Sequence, residues 1–212
     1  MMDIVVIGTG GLAREFSSFF SSEVKIVGFS STNTNEFNDF SLPREFFGSD
    51  ITPDIVGTKY AVLAIGSPAA KRAVSEKLKN LGFEFPNLVH SSSVSSTNLL
   101  ESGSEGIVIS PNCVIGSNVN FANHIYLNFM VGVGHDTKFE SYIQVNPGVQ
   151  IGGAVSVEEG VLIGSGSTIR QGLRVGKSST VGSGSVVLSR VREGITVIGN
   201  PAKRLKLPSF DE

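Results

Sequence analysis

The sequence predicts an α/β N-terminal domain followed by a parallel β-helix of hexapeptide repeats, and three observations carry that prediction. From Ile109 every sixth residue is large and apolar, through Ile115, Phe121, Leu127, Val133, Phe139, Val145, Ile151, Val157, Ile163, Ile169, Val175 and Val181 to Val187. Glycine recurs directly after these positions, at Gly116, Gly134, Gly152, Gly164, Gly176 and Gly182. Upstream of the array, apolar runs of strand length alternate with stretches of helical spacing. Six residues turn about 600° around an α-helix and scatter the apolar groups, whereas six is a whole number of strand periods and points them all one way. A hexapeptide is too small to fold alone, so each repeat must bury its apolar residue against the coils above and below.

In chain order, Asp3-Ile4-Val5-Val6-Ile7 reads as a buried parallel strand, and Gly8-Thr9-Gly10-Gly11 turns it into a helix beginning at Leu12. A second strand covers Val24 to Phe29 and a third Tyr60 to Gly66. The latter leads into a helix over Ala69 to Leu81, in which Ala73, Val74, Leu78 and Leu81 keep helical spacing. This alternation predicts a small doubly wound, Rossmann-like domain over residues 1–85. Ser30 to Asp54 is polar and predicted as loop. The β-helix is assigned to residues 86–200 and a tail to 201–212. The six-residue phase starts early, at Leu88, Val94 and Leu100, and slips by three before Ile109, which predicts an inserted loop around Glu101 to Gly106. The recurrent glycines fit corners that need unusual backbone dihedrals.

Composition narrows the function. The 212 residues are 40% hydrophobic and 17% charged with a net charge of −2, which argues against a nucleic-acid partner. No apolar run approaches the roughly 18 residues of a membrane span. The N-terminus has neither the basic flank nor the small-residue cleavage site of a signal peptide, so the cytoplasm is expected. The single cysteine, Cys113, falls in a column shared with Val119, Ile125 and Val131 and reads as a small core residue.

Of the three histidines, His135 stands outside the apolar track, in Gly134-His135-Asp136, where an imidazole faces solvent or a neighbouring subunit and titrates near neutral pH, as a general base should. His90 ends the junction Asn87-Leu88-Val89-His90, and His124 is predicted to stack on Tyr142, eighteen residues on. Only two histidines lie within the array proper, so no metal is expected.

The hexads, the ending Gly199-Asn200-Pro201-Ala202-Lys203-Arg204, the Leu88-Val89-His90 junction and Gly134-His135-Asp136 together resemble the hexapeptide-repeat acyltransferases, in particular the sialic acid O-acetyltransferases and nucleotide-sugar N-acetyltransferases of bacterial surface-sugar synthesis. That resemblance implies a left-handed β-helix with eighteen residues per coil, homotrimers with the cleft between adjacent β-helices, and transfer of acetyl from acetyl-CoA to an amino or hydroxyl group of a sugar or nucleotide sugar. It implies that His135 is the general base supported by Asp136, that Gly153, one coil on, offers its N–H to the thioester carbonyl, and that Asn128 and Gln144 line the acetyl site. Gln144 stands where related enzymes carry a second histidine. It further implies coenzyme A phosphates at Lys203 and Arg204, with Lys206 close by, while the amides of Gly8, Gly10 and Gly11 at a helix N-terminus, with Gly66 beside them, suit a phosphate or carboxylate of the acceptor or else form a plain tight turn. The first loop departs from the family's Ser-Gly-His by reading Gly10-Gly11-Leu12, and Ser30-Ser31 replace acidic residues. A nicotinamide-dependent oxidoreductase is disfavoured, because Ser30 lies where a ribose-binding acid is needed. A non-catalytic β-helix scaffold is the other competing reading.

Overall fold

The computed structural model describes residues 1–40, 42, 44–95 and 103–205. Its N-terminal part has the order β1 (Met2–Ile7), α1 (Gly11–Phe19), β2 (Val24–Ser30), α2 (Thr34–Asp39), β3 (Glu45–Phe46), α3 (Pro53–Val56), β4 (Ala61–Leu63) and α4 (Pro68–Asn80). The four strands form one parallel sheet in the order β3-β2-β1-β4. One face of the sheet packs Ile4 and Val6 against Phe16 and Phe20, which stack at 4.7 Å, and the other packs Val5 and Ile7 against α3 and α4.

The stretch expected to be loop from Ser30 to Asp54 instead contains α2 and β3 and the start of α3. Asn33 caps α2 by accepting a hydrogen bond from the Glu36 N–H at 3.3 Å. Phe37 and Phe46, 4.9 Å apart, pack against the core that holds Phe29. A helix of six residues and a strand of two are too short for periodicity to register, and aromatic packing stabilises both.

From Leu88 the chain winds through two- and three-residue strands that belong in rotation to three parallel faces. The first face contains residues 108–109, 126–127, 144–145, 162–163 and 180–181, the second 114–115, 132–133, 150–151, 168–169 and 186–187, and the third 120–121, 138–139, 156–157 and 174–175. Partners in successive coils are eighteen residues apart, as in Leu127 with Val145 and Val145 with Ile163. All fourteen residues of the apolar track are buried and share one core with Cys113. Phe121 and Phe139 stack in it at 5.0 Å.

Two expectations change. The glycines after the track do not supply unusual dihedrals; at Gly134 an added Cβ would lie 2.4 Å from the Gly153 nitrogen, so the close approach of neighbouring coils requires them. The left-handed residue of each corner comes two positions later. Asn112, Asn118, His124, Met130, Asp136, Tyr142, Gly148, Ala154, Gly160, Gly166, Gly172, Ser178 and Gly184 all have φ between 53° and 73°. The first coil also has a different phase. Leu88 pairs with Val108 and Val89 with Ile109, while Val94 pairs with Val114 and Ser95 with Ile115. Val89 and Ser95 therefore share the columns of the inward track; Leu88 packs outward into the N-terminal core, and Val94 is 64% exposed. Both sides of the first face are buried here, which erases the alternation that would have marked the inward residue. Leu100 and Glu101 lie outside the described residues.

The N-terminal part docks on the first face. Leu88, Val108 and Tyr126 join its core from the coil side, and Lys71 of α4 donates to Gln144 Oε1 at 3.1 Å and to the Ile143 carbonyl at 3.3 Å. No helix among the described residues is long and apolar enough to cross a membrane.

Candidate active site

The edge between the second and third faces carries the exposed histidine and a run of backbone amides stacked coil on coil. The third hexad residue gives its N–H to no backbone carbonyl at Asn123, Phe129, His135, Gly153, Glu159, Gln171 or Lys177. Side chains cap this group at Asn123, Phe129, Glu159 and Lys177, using Ser141, Asn128, Glu140 and Glu158 respectively. Among the described residues no such cap meets the N–H groups of His135, Gly153 and Gln171, which follow one another up the open edge. Three adjacent amides thus retain donors for a ligand.

His135 sits on this edge with its side chain 58% exposed. Its ring lies over the next coil, since a Cβ placed on Gly153 would be 2.6 Å from Nε2 and 2.8 Å from Cε1. Only glycine at 153 leaves the ring that space. Nδ1 is 2.7 Å from Asp136 Oδ2. Asp136, in the left-handed corner position, also accepts from Asn118 Nδ2 at 2.6 Å through its other oxygen. The Asn118 hydrogen bond and then the His135 contact hold the Asp136 carboxyl below the usual carboxylate range, so it is ionised at neutral pH. A carboxylate on Nδ1 fixes that proton there and leaves Nε2 as the free acceptor, aimed at the Gly153 corner. Thr137 donates to the Gly152 carbonyl at 3.1 Å and braces the turn from below.

His135, Asp136 and Gly153 are therefore gathered at one point. Asn128 and Gln144 lie elsewhere in the same chain. Asn128, 4% exposed, donates to Glu15 of α1 at 3.2 Å and caps the Phe129 N–H. Gln144, 1% exposed, accepts from Lys71 and donates to Asn146 at 3.3 Å. Lys203 and Arg204 are exposed on a short strand antiparallel to Thr196–Ile198, at the end of the first face and opposite the His135 edge. Lys206 lies outside the described residues. His90 holds the Phe19 carbonyl at 3.1 Å, and His124 stacks on Tyr142 at 5.1 Å.

The glycine loop lies at the carboxyl ends of the strands, between the two neighbours of β1. Gly8, with φ 119° and a Cβ position 2.7 Å from the Ala64 carbonyl oxygen, permits β1 and β4 to converge, while Gly10 and Gly11 open α1. A cavity of about 210 Å³ beside Gly8 is lined by Ser30, Ser31, Thr32, Ser49, Ile65 and Lys77, at the switch point where ligands of open α/β sheets bind. Gly66 borders open space.

Two residues of these sites escaped the sequence reading. Asn118 stands eighteen positions before Asp136, so the stacking rule that located Gly153 also locates it. Glu36 accepts from Thr9 Oγ1 at 3.1 Å and brings a carboxylate to the glycine loop from α2. The Asn33-x-x-Glu36 spacing is a capping signature that marks this helix. Among the described residues no group of three or more His, Cys, Asp or Glu side chains is placed to hold a metal ion.

A coil of hexapeptides attached to a Rossmann-like unit has the fold of an acyltransferase. The resemblance extends to particular solved structures. The chain is similar to the acetyltransferase domain of PglB from Neisseria gonorrhoeae, at 25% identity and TM-score 0.81 over 97% of this chain and 100% of that one. It is similar to the same domain in complex with acetyl coenzyme A, at 26% identity and TM-score 0.80 over 96% and 98%. PerB from Caulobacter crescentus, in complex with CoA and GDP-perosamine, shares the fold at 24% identity and TM-score 0.82 over 97% and 98%. No protein-family model matches the chain.

Proposed function

We propose that the protein transfers acetyl from acetyl-CoA to an amino or hydroxyl group of a sugar or nucleotide sugar, as a step in making a bacterial surface glycan. The observation that carries this reading is the seat of the His135 ring on Gly153, with Nδ1 2.7 Å from the Asp136 carboxylate. The acceptor attacks the thioester carbonyl directly. His135 Nε2 takes the acceptor's proton as the new bond forms, Asp136 stabilises the imidazolium, and the Gly153 N–H stabilises the carbonyl oxygen as it becomes an oxyanion. Coenzyme A leaves as its thiolate and recovers a proton from the imidazolium. No covalent enzyme intermediate is needed.

In this reading the coil is a left-handed β-helix, and residues 1–85 bind the acceptor in the cavity beside Gly8. The nucleotide sugar named for the Caulobacter neighbour supports an acceptor of that class. Three copies assemble so that an acceptor held by one N-terminal part reaches the open edge of a neighbour, while Asn128 and Gln144, buried under α1 and α4, brace the coil from its covered side. The setting is the cytoplasm, where acetyl-CoA is available.

The test is thiol release from acetyl-CoA across a panel of amino sugars, sialic acids and nucleotide sugars. His135→Ala is expected to lower kcat by roughly 10²–10⁴-fold with CoA affinity retained. A loss under threefold overturns the assignment. Sedimentation is expected to give three times the 22.4 kDa chain mass, and a monomer overturns the shared cleft.

A further inference from the structure

The glycine loop beside the cavity is held by a carboxylate. Thr9, 1% exposed, donates from Oγ1 to Glu36 Oε2 at 3.1 Å and reaches the Asn33 carbonyl at 3.3 Å, which ties the start of α2 to the loop. A Cβ placed on Gly10 would lie 3.5 Å from Glu36 Oε2 and 3.6 Å from Oε1, so both oxygens stand against the backbone that opens α1. Gly10 is the N-cap of that helix, and neither a side-chain cap nor an acid in the first turn serves it. A helix start carries partial positive charge, and here the chain's own carboxylate sits where a bound anion would. The Arg14 guanidinium, one turn into α1, lies over the Phe40 ring at 3.6 Å. Among the described residues Glu36 forms no ion pair, and its Oε1 accepts no hydrogen bond.

We propose that Glu36 sets the class of acceptor: it bars phosphate from the glycine loop and takes hydroxyl groups of an unphosphorylated sugar ring. The inference rests on residues 1–85 being the acceptor-binding part, and narrows the acceptor from sugars and nucleotide sugars to sugars without phosphate. A phosphate oxygen is negative and only accepts hydrogen bonds, so beside Glu36 it meets a repelling neighbour and offers Oε1 no donor. A hydroxyl donates to Oε1 and accepts from a backbone amide at the same time. Hydrogen bonds to a charged acceptor are the stronger kind, so hydroxyls gain at this loop what a diphosphate loses. Size agrees. The cavity beside Gly8 encloses about 210 Å³, below the roughly 300–1,000 Å³ of sites for drug-sized ligands, and fits one ring rather than a whole nucleotide. Among the described residues its charged lining group is Lys77 of α4, whose ammonium donates to hydroxyl oxygens.

Calorimetric titration with UDP, GDP and inorganic pyrophosphate tests this, with excess coenzyme A present to occupy the donor's own phosphate site. The parent is expected to bind none of the three at millimolar concentration. Glu36→Gln still accepts the Thr9 hydroxyl, so it is expected to unfold at the parent temperature and to bind UDP or GDP at least tenfold more tightly than the parent. Glu36→Asp keeps the charge and is expected to reject them as the parent does. In turnover with unphosphorylated amino sugars, Glu36→Gln is expected to raise KM for the sugar at least fivefold, with the loss falling on KM rather than kcat. Micromolar binding of UDP or GDP by the parent overturns the inference, and so does a Glu36→Gln variant that gains no nucleotide binding or a Glu36→Asp variant that gains as much. If the titrations come out as expected while no sugar releases thiol from acetyl-CoA, the selectivity of the loop stands and the acetyl-transfer reading falls.

Discussion

His124 and His135 belong to the same coil, lie one hexad position apart, and have opposite surroundings. His124, 3% exposed, is roofed by Phe85 at 4.9 Å and stacked on Tyr142, and α4 crosses that side of the coil with Lys71, Arg72 and Lys79. His135 is left in the open, with a carboxylate on one nitrogen and the Gly153 corner beside the other. The repeat makes equivalent polar edges at every corner, and what the rest of the chain lays over them decides their use. On the covered side the polar groups hold two parts of the molecule together. On the open side they remain available for chemistry.

Exchanging the two histidines for alanine tests that division most strongly. His135→Ala is expected to remove roughly 10²–10⁴-fold of kcat while leaving thermal unfolding unchanged, because its side chain is more than half exposed. His124→Ala is expected to do the reverse, lowering stability by about 2–3 kcal/mol through a lost ring in a packed seam, with kcat within threefold. If both variants lose activity and keep their stability, the covered side belongs to the active site and the contrast fails.

Gly153→Ala sharpens the point within the open edge. Its Cβ would lie 2.6 Å from His135 Nε2, so the ring must move aside. Displacing a catalytic group by about 1 Å costs on the order of 10²-fold. The expected result is a fall of that size in kcat, with little change in unfolding temperature because Gly153 has ordinary negative φ and the ring can swing into solvent.

The covered side carries its own pH signature. Burial alone pushes Lys71 down to about 7, and burial is the leading reason that His124 is pushed down to about 4. Both are bound neutral when folded, so the unfolded chain takes up more protons, and stability rises with pH across each window. For His124 the window runs from about 4 to its ordinary value near 6.5, and for Lys71 from about 7 to near 10.5. Burial raises the Cys113 thiol, which acts in the opposite sense once the unfolded thiol ionises near 9, so the Lys71 window is best read between pH 7 and 8.5. Denaturant midpoints are expected to climb through that range in the parent and to lie flat in Lys71→Met. A variant that keeps the parent's slope removes Lys71 as its source.

The same contrast explains what could be read from sequence. The period that begins at Ile109 is legible because one side of every strand is solvated on two of the three faces, which keeps inside and outside chemically distinct. It misplaces Leu88 because the first face is buried on both sides. His135, Asp136 and Gly153 are legible from a motif and a fixed separation, since stacking converts eighteen residues of sequence into one rung of space. The engagement of Asn128 with Glu15 and of Gln144 with Lys71 is not, because each contact spans more than seventy residues and depends on how α1 and α4 settle on the coil.

Asn118 gives the smallest and most selective test. Its hydrogen bond is the largest influence holding the Asp136 carboxyl below the usual range, ahead of the contact with His135. In Asn118→Ala the carboxyl is expected to titrate closer to its ordinary value, visible by NMR as an upward-shifted Asp136 midpoint. A group held low stabilises the fold above its unfolded pKa and loses that contribution as pH falls through the folded value, but Asp136 is exposed and solvent screens the effect, so the acid limb of stability should barely move. The rate should move more. A hydrogen bond worth about 1 kcal/mol to the orientation of Asp136 corresponds to roughly fivefold in kcat. Since Asn118 touches neither donor nor acceptor in the proposed complex, KM for both should stay at parent values, and Asn118→Ser, which keeps a donor on a shorter side chain, should recover part of the loss. A change confined to KM would place Asn118 in substrate binding, and equal losses in stability and rate would make this edge structural, like the one that α4 covers.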